Sequence, residues 1–181
     1  REFPMFSHPR MRFARALGAR ISVSCLCCAL LAPFLAKRAV SQESPIAVRG
    51  ELQQELSLTL ADLEALPRAH LPAAVLIGDC EGFHGIHDLD GVPLSALVKK
   101  YTAVPDPAPY DRYVLIASGD GYCATYSFGE LFNSRMGDQI VVATVKDGKP
   151  LSPADGFAMS VTGEDSTGGR SVRRIKQIEI R

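Results

Sequence analysis

Apolar positions change their period several times along the chain, and each change marks an element. Leu56, Leu58 and Leu60 alternate with polar residues as a half-buried strand does, and Thr59 with Asp62 offers a capping pattern for a short helix stopped by Pro67. Residues 73–77 form a short apolar, β-branched run and therefore a buried strand, and 78–91 is a glycine-bearing stretch read as loop. Leu94, Leu97, Val98 and Tyr101 then fall at i, i+3, i+4 and i+7, the apolar stripe of a helix with Pro93 in its first turn. Residues 105–109 are a proline-rich connection. Residues 113–116 read as a buried strand, Asp120-Gly121 as the turn of a hairpin, and 122–126 as its partner. Ser127 and Glu130 cap another short helix. Residues 139–145 predict a strand ending at the turn Asp147-Gly148, 158–162 a weaker one, and 170–180 the last. Val172, Ile178 and Ile180 share a parity that Ile175 breaks, which predicts a bulge or bend near Arg174. These elements predict an α+β fold, a strand-rich mixed-sheet domain with short helices and no sustained βαβ alternation.

The N-terminal segment follows a different logic. Arg10, Arg12, Arg15 and Arg20 precede an apolar run over 21–36, and Ala39-Val40-Ser41 follows with small residues. This is the layout of a secretory signal peptide. Sixteen residues rise only about 24 Å as a helix, short of a hydrocarbon core of roughly 30 Å, so no stable membrane span is expected once the signal is removed. Residues 1–41 are thus expected to be an export signal, with Met5 or Met11 as its translational start, and 42–181 the mature domain. A periplasmic or secreted location is the corresponding expectation.

Composition adds one correction. The chain of 181 residues balances 20 Lys and Arg against 20 Asp and Glu, but 1–41 holds seven of the basic residues and one acidic residue. The remainder has 13 basic and 19 acidic residues, net −6, and an acidic body of this kind is no nonspecific nucleic-acid binder. No G-x-S-x-G, P-loop, dinucleotide-binding or zincin motif is present.

Four of those thirteen basic residues, Arg170, Arg173, Arg174 and Lys176, lie within seven positions directly after Gly168-Gly169. Glycines permit close backbone approach, Ser171 is a hydrogen-bond donor, and the arginine fork matches phosphate oxygens. The segment is a candidate anion site; a solvated last strand with basic outward positions has the same pattern. Removal of residues 1–41 leaves two cysteines, Cys80 and Cys123, in a compartment where disulfides persist. They are read as a disulfide, as two free thiols, or with Cys80 as a metal ligand. Cys80 with His84 and His87 also makes a minor candidate for zinc or copper.

Five motifs in order carry a family resemblance: Leu58-Thr59-Leu60-Ala61-Asp62-Leu63, Asp90-Gly91-Val92-Pro93-Leu94-Ser95-Ala96-Leu97, Asp120-Gly121-Tyr122, Asp147-Gly148-Lys149-Pro150-Leu151 and Gly169-Arg170-Ser171-Val172-Arg173. Together they make residues 56–180 resemble the molybdopterin-binding domain of the sulfite oxidase superfamily. The resemblance implies that Arg170, Ser171 and Arg173 contact the phosphate of a molybdenum-molybdopterin cofactor, and that Cys80, eleven residues before Gly91, is the thiolate ligand of the metal. A soft thiolate suits a high-valent molybdenum centre. Glu81, His84 and Tyr122 would then line the substrate side as hydrogen-bond donors or proton carriers. Where the larger enzymes of the superfamily carry arginine-rich residues after the ligand cysteine, this chain has Glu81-Gly82-Phe83-His84-Gly85-Ile86-His87.

The function implied is a periplasmic molybdopterin-dependent oxidoreductase, carrying out two-electron oxygen-atom transfer on a small oxo-anion or a sulfoxide. A haem protein would exchange its electrons, because the sequence has neither a haem motif nor an iron–sulfur cysteine set. The alternative from another class is a cofactor-free secreted binding module on the same fold, closed by a Cys80–Cys123 disulfide.

Overall fold

A computed structural model describes residues 44–52, 54–78, 82–163 and 168–181. The expected export signal, Cys80 and Glu81 lie outside the described residues, all of which belong to the compact unit Val40–Arg181. Among the described residues the strands are β1 (Ile46–Gly50), β2 (Leu56–Leu58), β3 (Ala69–Gly78), β4 (Gly82–Pro93), β5 (Tyr113–Ser118), β6 (Cys123–Ser127), β7 (Ile140–Lys146), β8 (Lys149–Pro150), β9 (Met159–Thr162) and β10 (Ile175–Ile180). Three short α-helices, α1 (Leu60–Glu64), α2 (Leu94–Tyr101) and α3 (Phe128–Phe132), and a 3-10 helix at Arg135–Gln139 join them. No helix among the described residues is long and apolar enough to cross a membrane.

The strands form two sheets, ordered β2-β1-β10-β5-β6 and β3-β4-β7-β8, with β9 also paired to β7. The first sheet is mixed: β1 runs parallel to β10, which is antiparallel to β5. Its inner face follows the sequence alternation, with Val114 and Ile116 of β5, Ala124 and Tyr126 of β6, and Ile178 and Ile180 of β10 all buried. They join Leu63 of α1, Leu94, Leu97 and Val98 of α2, and Phe128 and Leu131 of α3 in the larger core. β7 explains its own unbroken apolar run. Ile140 and Val142 face that core, while Val141 and Ala143 face a second one with Leu71, Leu76, Leu89, Met159 and Val161. A strand covered on both faces loses its polar alternation.

Both capping boxes form, at α1 through Thr59 and Asp62 and at α3 through Ser127 and Glu130. Four expectations need correction. Leu60 opens α1 instead of continuing the strand, because the Thr59 cap turns the chain one residue earlier. The described part of 78–91 is strand: Gly78 ends β3, and β4 takes up 82–91, paired with β3. Two of its three glycines sit at positive φ, Gly82 at 76° and Gly85 at 112°, and the register of the β3–β4 pairing shifts between Phe83 and Gly85, which hides the period of two. The last strand begins at Ile175, not at 170, because Arg174 adopts φ 49° and the ladder shifts between Ile175 and Gln177. That is the bend expected near Arg174. Finally, β1 adds a strand to the expected set; only Ile46 and Val48 show its alternation, and one of its two partners, β10, lies at the far end of the chain.

Candidate functional site

The glycine-arginine segment is built as a turn locked to three neighbours. Gly168 sits at φ 68°, and a Cβ there would lie 2.4 Å from the Ile77 carbonyl oxygen, so only glycine lets the turn reach the end of β3. The Ser171 amide donates to the Gly168 carbonyl at 3.0 Å, and Val172 exchanges backbone bonds with Ser160 of β9 at 2.9 and 3.1 Å. Val172 is fully buried and anchors the segment. The Tyr122 hydroxyl donates to the Gly169 carbonyl and the Tyr126 hydroxyl to the Arg170 carbonyl, each at 2.7 Å. Tyr122, nominated from the sequence, is thereby joined to this turn. So is the end of β3, which leads three residues past Ile77 to Cys80 in the sequence.

Each arginine meets a carboxylate from a different part of the fold. Arg170 donates from Nη1 to Glu130 Oε1 and from Nη2 to the Thr125 carbonyl, both at 2.9 Å, and its guanidinium lies 4.3 Å from the centre of the Tyr126 ring. Burial pushes the Glu130 carboxyl up, but hydrogen bonds from Arg170 and Ser127 outweigh it and hold the group below its ordinary value. Arg173 Nε stands 3.6 Å from Oδ1 of Asp155, whose Oδ2 takes a bond from Lys146 Nζ at 3.0 Å and another from Ser152 Oγ at 2.8 Å. Asp155 is 5% exposed. Burial again works against its charge, and the Ser152 and Lys146 bonds overcome it, so its carboxyl lies below the usual range. Arg174 reaches Asp120 at 3.5 Å across open surface. From the sequence Glu130 reads only as a cap, and Tyr126, Asp155 and Asp120 carry no signal for this role, since no local pattern links them to the arginines.

The remaining candidates are dispersed. His84 and His87 lie on β4, and His87 points Nε2 at the His84 carbonyl, 3.0 Å away, and Nδ1 at Asp147 Oδ2, 2.7 Å away. Two acceptors on one imidazole favour the doubly protonated ring. The His84 carbonyl, then Asp147, raise the His87 pKa above its ordinary value. Among the described residues no three His, Cys, Asp or Glu side chains converge as a metal would require. Cys123 is an exposed free thiol on β6.

The family model for the oxidoreductase molybdopterin-binding domain matches residues 37–181. The chain belongs to this family. Among solved structures, this molybdopterin-binding domain matches the crystal structure of the sulfane dehydrogenase SoxCD from Paracoccus pantotrophus with a TM-score of 0.57 at 17% identity. The match covers 77% of this chain and 38% of that one; at this identity it speaks for the fold, and the domain spans well under half of the larger protein. A search of curated proteins finds no match. The placement of the residues fits the cofactor of the family: the glycine turn that carries Ser171 and the arginines abuts the strand end that leads to Cys80, and the Ser171 hydroxyl makes no hydrogen bond to the described residues.

Proposed function

We propose that this oxidoreductase-family domain is an exported, periplasmic protein that binds molybdenum-molybdopterin and uses it on a small oxo-anion or sulfoxide. The observation that carries the reading is the packing of Gly168 on Ile77, which joins the basic turn to the approach of Cys80. Ser171 and Arg173 would hold the cofactor's phosphate, with Arg170 fixing the turn from beneath through Glu130 and Tyr126, and Cys80 would ligate the metal. When bound, the cofactor supplies two-electron redox chemistry coupled to movement of an oxygen atom. The protein's own share is orientation and charge. Tyr122 keeps its hydroxyl on Gly169 and so positions the turn, and the arginines place positive charge where an anion docks. Glu81 and His84 are assigned to the substrate side, and a haem protein is assigned as the electron partner. Export rests on the arginine-led apolar run of residues 1–41.

The test is to produce the full chain in a host that makes the cofactor and to measure molybdenum and pterin separately. Cys80→Ser should lose metal and retain pterin, while a Ser171→Ala/Arg173→Gln pair should lose both. Pterin retained in full by the pair refutes the phosphate assignment.

A second reading has one observation in its favour. Arg170 is already engaged by Glu130 and Thr125, as in a binding module that holds no cofactor. In that case neither metal nor pterin would copurify with the full chain.

A further inference from the structure

A separate cleft runs along the other part of the basic segment. It encloses about 240 Å³ and is lined by Ser44, Pro153, Gly156, Phe157, Arg174, Ile175 and Lys176. None of the residues assigned to molybdopterin lines it.

Three observations give the cleft a chemistry. First, Arg174 adopts φ 49°, a left-handed conformation that a side-chain-bearing residue rarely takes and that tends to mark functional sites. The bend separates Arg173, directed to Asp155, from Arg174, which lines the cleft; an unbroken strand would instead continue the ladder through both. Gly156 makes this possible, because a Cβ there would lie 2.9 Å from the Arg174 Cα. Second, Lys176 is exposed and makes no ion pair among the described residues, and Arg174 has only a solvent-open contact with Asp120, both side chains being more than half exposed. Two cations with so little compensation leave the cleft positive in a domain that is acidic overall. Third, Phe157 and Pro153 supply an apolar wall, and Ser44 a hydroxyl.

We propose that this cleft binds a small organic anion, a carboxylate or sulfonate carried on a compact apolar or aromatic group. Arg174 and Lys176 take the anionic head, Ser44 donates a hydrogen bond, and Phe157 packs against the apolar part. Sites for drug-sized ligands begin at about 300 Å³; the smaller volume here selects a molecule with a single ring or a short chain. Asp120 competes with the ligand for Arg174 and sets the affinity downward.

The probes are benzoate and benzenesulfonate, with benzyl alcohol and inorganic sulfate as controls, monitored through amide chemical shifts of the isotopically labelled full chain. Saturable shifts at Gly156, Phe157 and Lys176 are expected for both aromatic anions. Inorganic sulfate should bind at least tenfold more weakly, and benzyl alcohol should not saturate. Arg174→Gln with Lys176→Gln should weaken benzoate binding at least tenfold, while Asp120→Asn, which keeps an oxygen acceptor in the turn, should strengthen it about two- to fivefold, the range of an exposed ion pair. The Asp120 variant guards against a misfolded double variant, since a gain of affinity cannot come from unfolding. No saturable shift with either anion, equal binding of benzoate and benzyl alcohol, or sulfate binding as tight as benzoate overturns the proposal.

Discussion

Asp155 is the buried charge on which the basic segment leans, and its removal has a calculable cost. In Asp155→Asn the side-chain volume is kept, and Ser152 and Lys146 still find an oxygen, but the two cations lose their counter-charge. Breaking a buried ion pair by neutralising one partner costs about 3–5 kcal/mol when the other stays buried. Here Lys146 is 26% and Arg173 33% exposed, so water recovers part of their solvation, and a loss of about 2–3 kcal/mol is expected. At roughly 3 °C per kcal/mol for a domain of this size, the melting temperature should fall by about 6–9 °C at pH 7. The pH dependence has a definite sign. The Asp155 carboxyl lies below its ordinary value in the folded protein. Its contribution is therefore complete above the unfolded carboxylate pKa of about 3.9 and is lost as pH falls through the lower folded value. Thermal unfolding of wild type and variant from pH 7 down to pH 3 should show a gap that is constant to about pH 5 and narrows below pH 4. A loss under about 1 kcal/mol at neutral pH, or a gap that stays constant to pH 3, refutes the role given to this carboxylate.

Three further outcomes are expected from the same geometry. Gly168→Ala forces a Cβ to 2.4 Å from the Ile77 carbonyl at φ 68° and should destabilise the domain by at least about 1–2 kcal/mol in denaturant unfolding; an unchanged midpoint would contradict the packing of the turn on β3. Tyr126→Phe removes the 2.7 Å bond to the Arg170 carbonyl and should cost about 1 kcal/mol, with no change expected in far-ultraviolet circular dichroism. His87 should titrate by nuclear magnetic resonance with a midpoint above 6.5, and Asp147→Asn should lower it only in part, because the His84 carbonyl is the larger cause. Stability from His87 is present below the unfolded histidine pKa and disappears as pH rises through the folded one. A midpoint at or below 6.5 excludes this arrangement.

Local chemistry made much of this fold legible. The boxes at Thr59–Asp62 and Ser127–Glu130 are completed within four residues, and the Asp120-Gly121 turn joins strands adjacent in sequence, so each could be read without knowing the rest. β4 could not, because the signal that marks it in space is its pairing with β3 and β7, while Phe83 and Ile86 stand exposed and His84 and His87 partly buried, so no polar-apolar alternation shows. β1 escaped for a related reason: its five residues show only Ile46 and Val48 as an alternating pair, and of its two partners, β2 and β10, the second lies near the other terminus. The candidate site divides in the same way. The density of arginines after Gly168-Gly169 is a property of the sequence, whereas their partners lie 40 residues away at Glu130 and 54 at Asp120. Nothing local distinguishes an arginine offered to a ligand from one held by its own fold.

The central claim is that this family member carries molybdenum-molybdopterin, and the most direct test is the molar ratio of molybdenum to protein, by elemental mass spectrometry, on full chain exported by a cofactor-producing host. A ratio near one, accompanied by the fluorescence of oxidised pterin, is the predicted result. Protein that is folded and exported yet contains neither metal nor pterin would contradict it and leave the fold as a binding module.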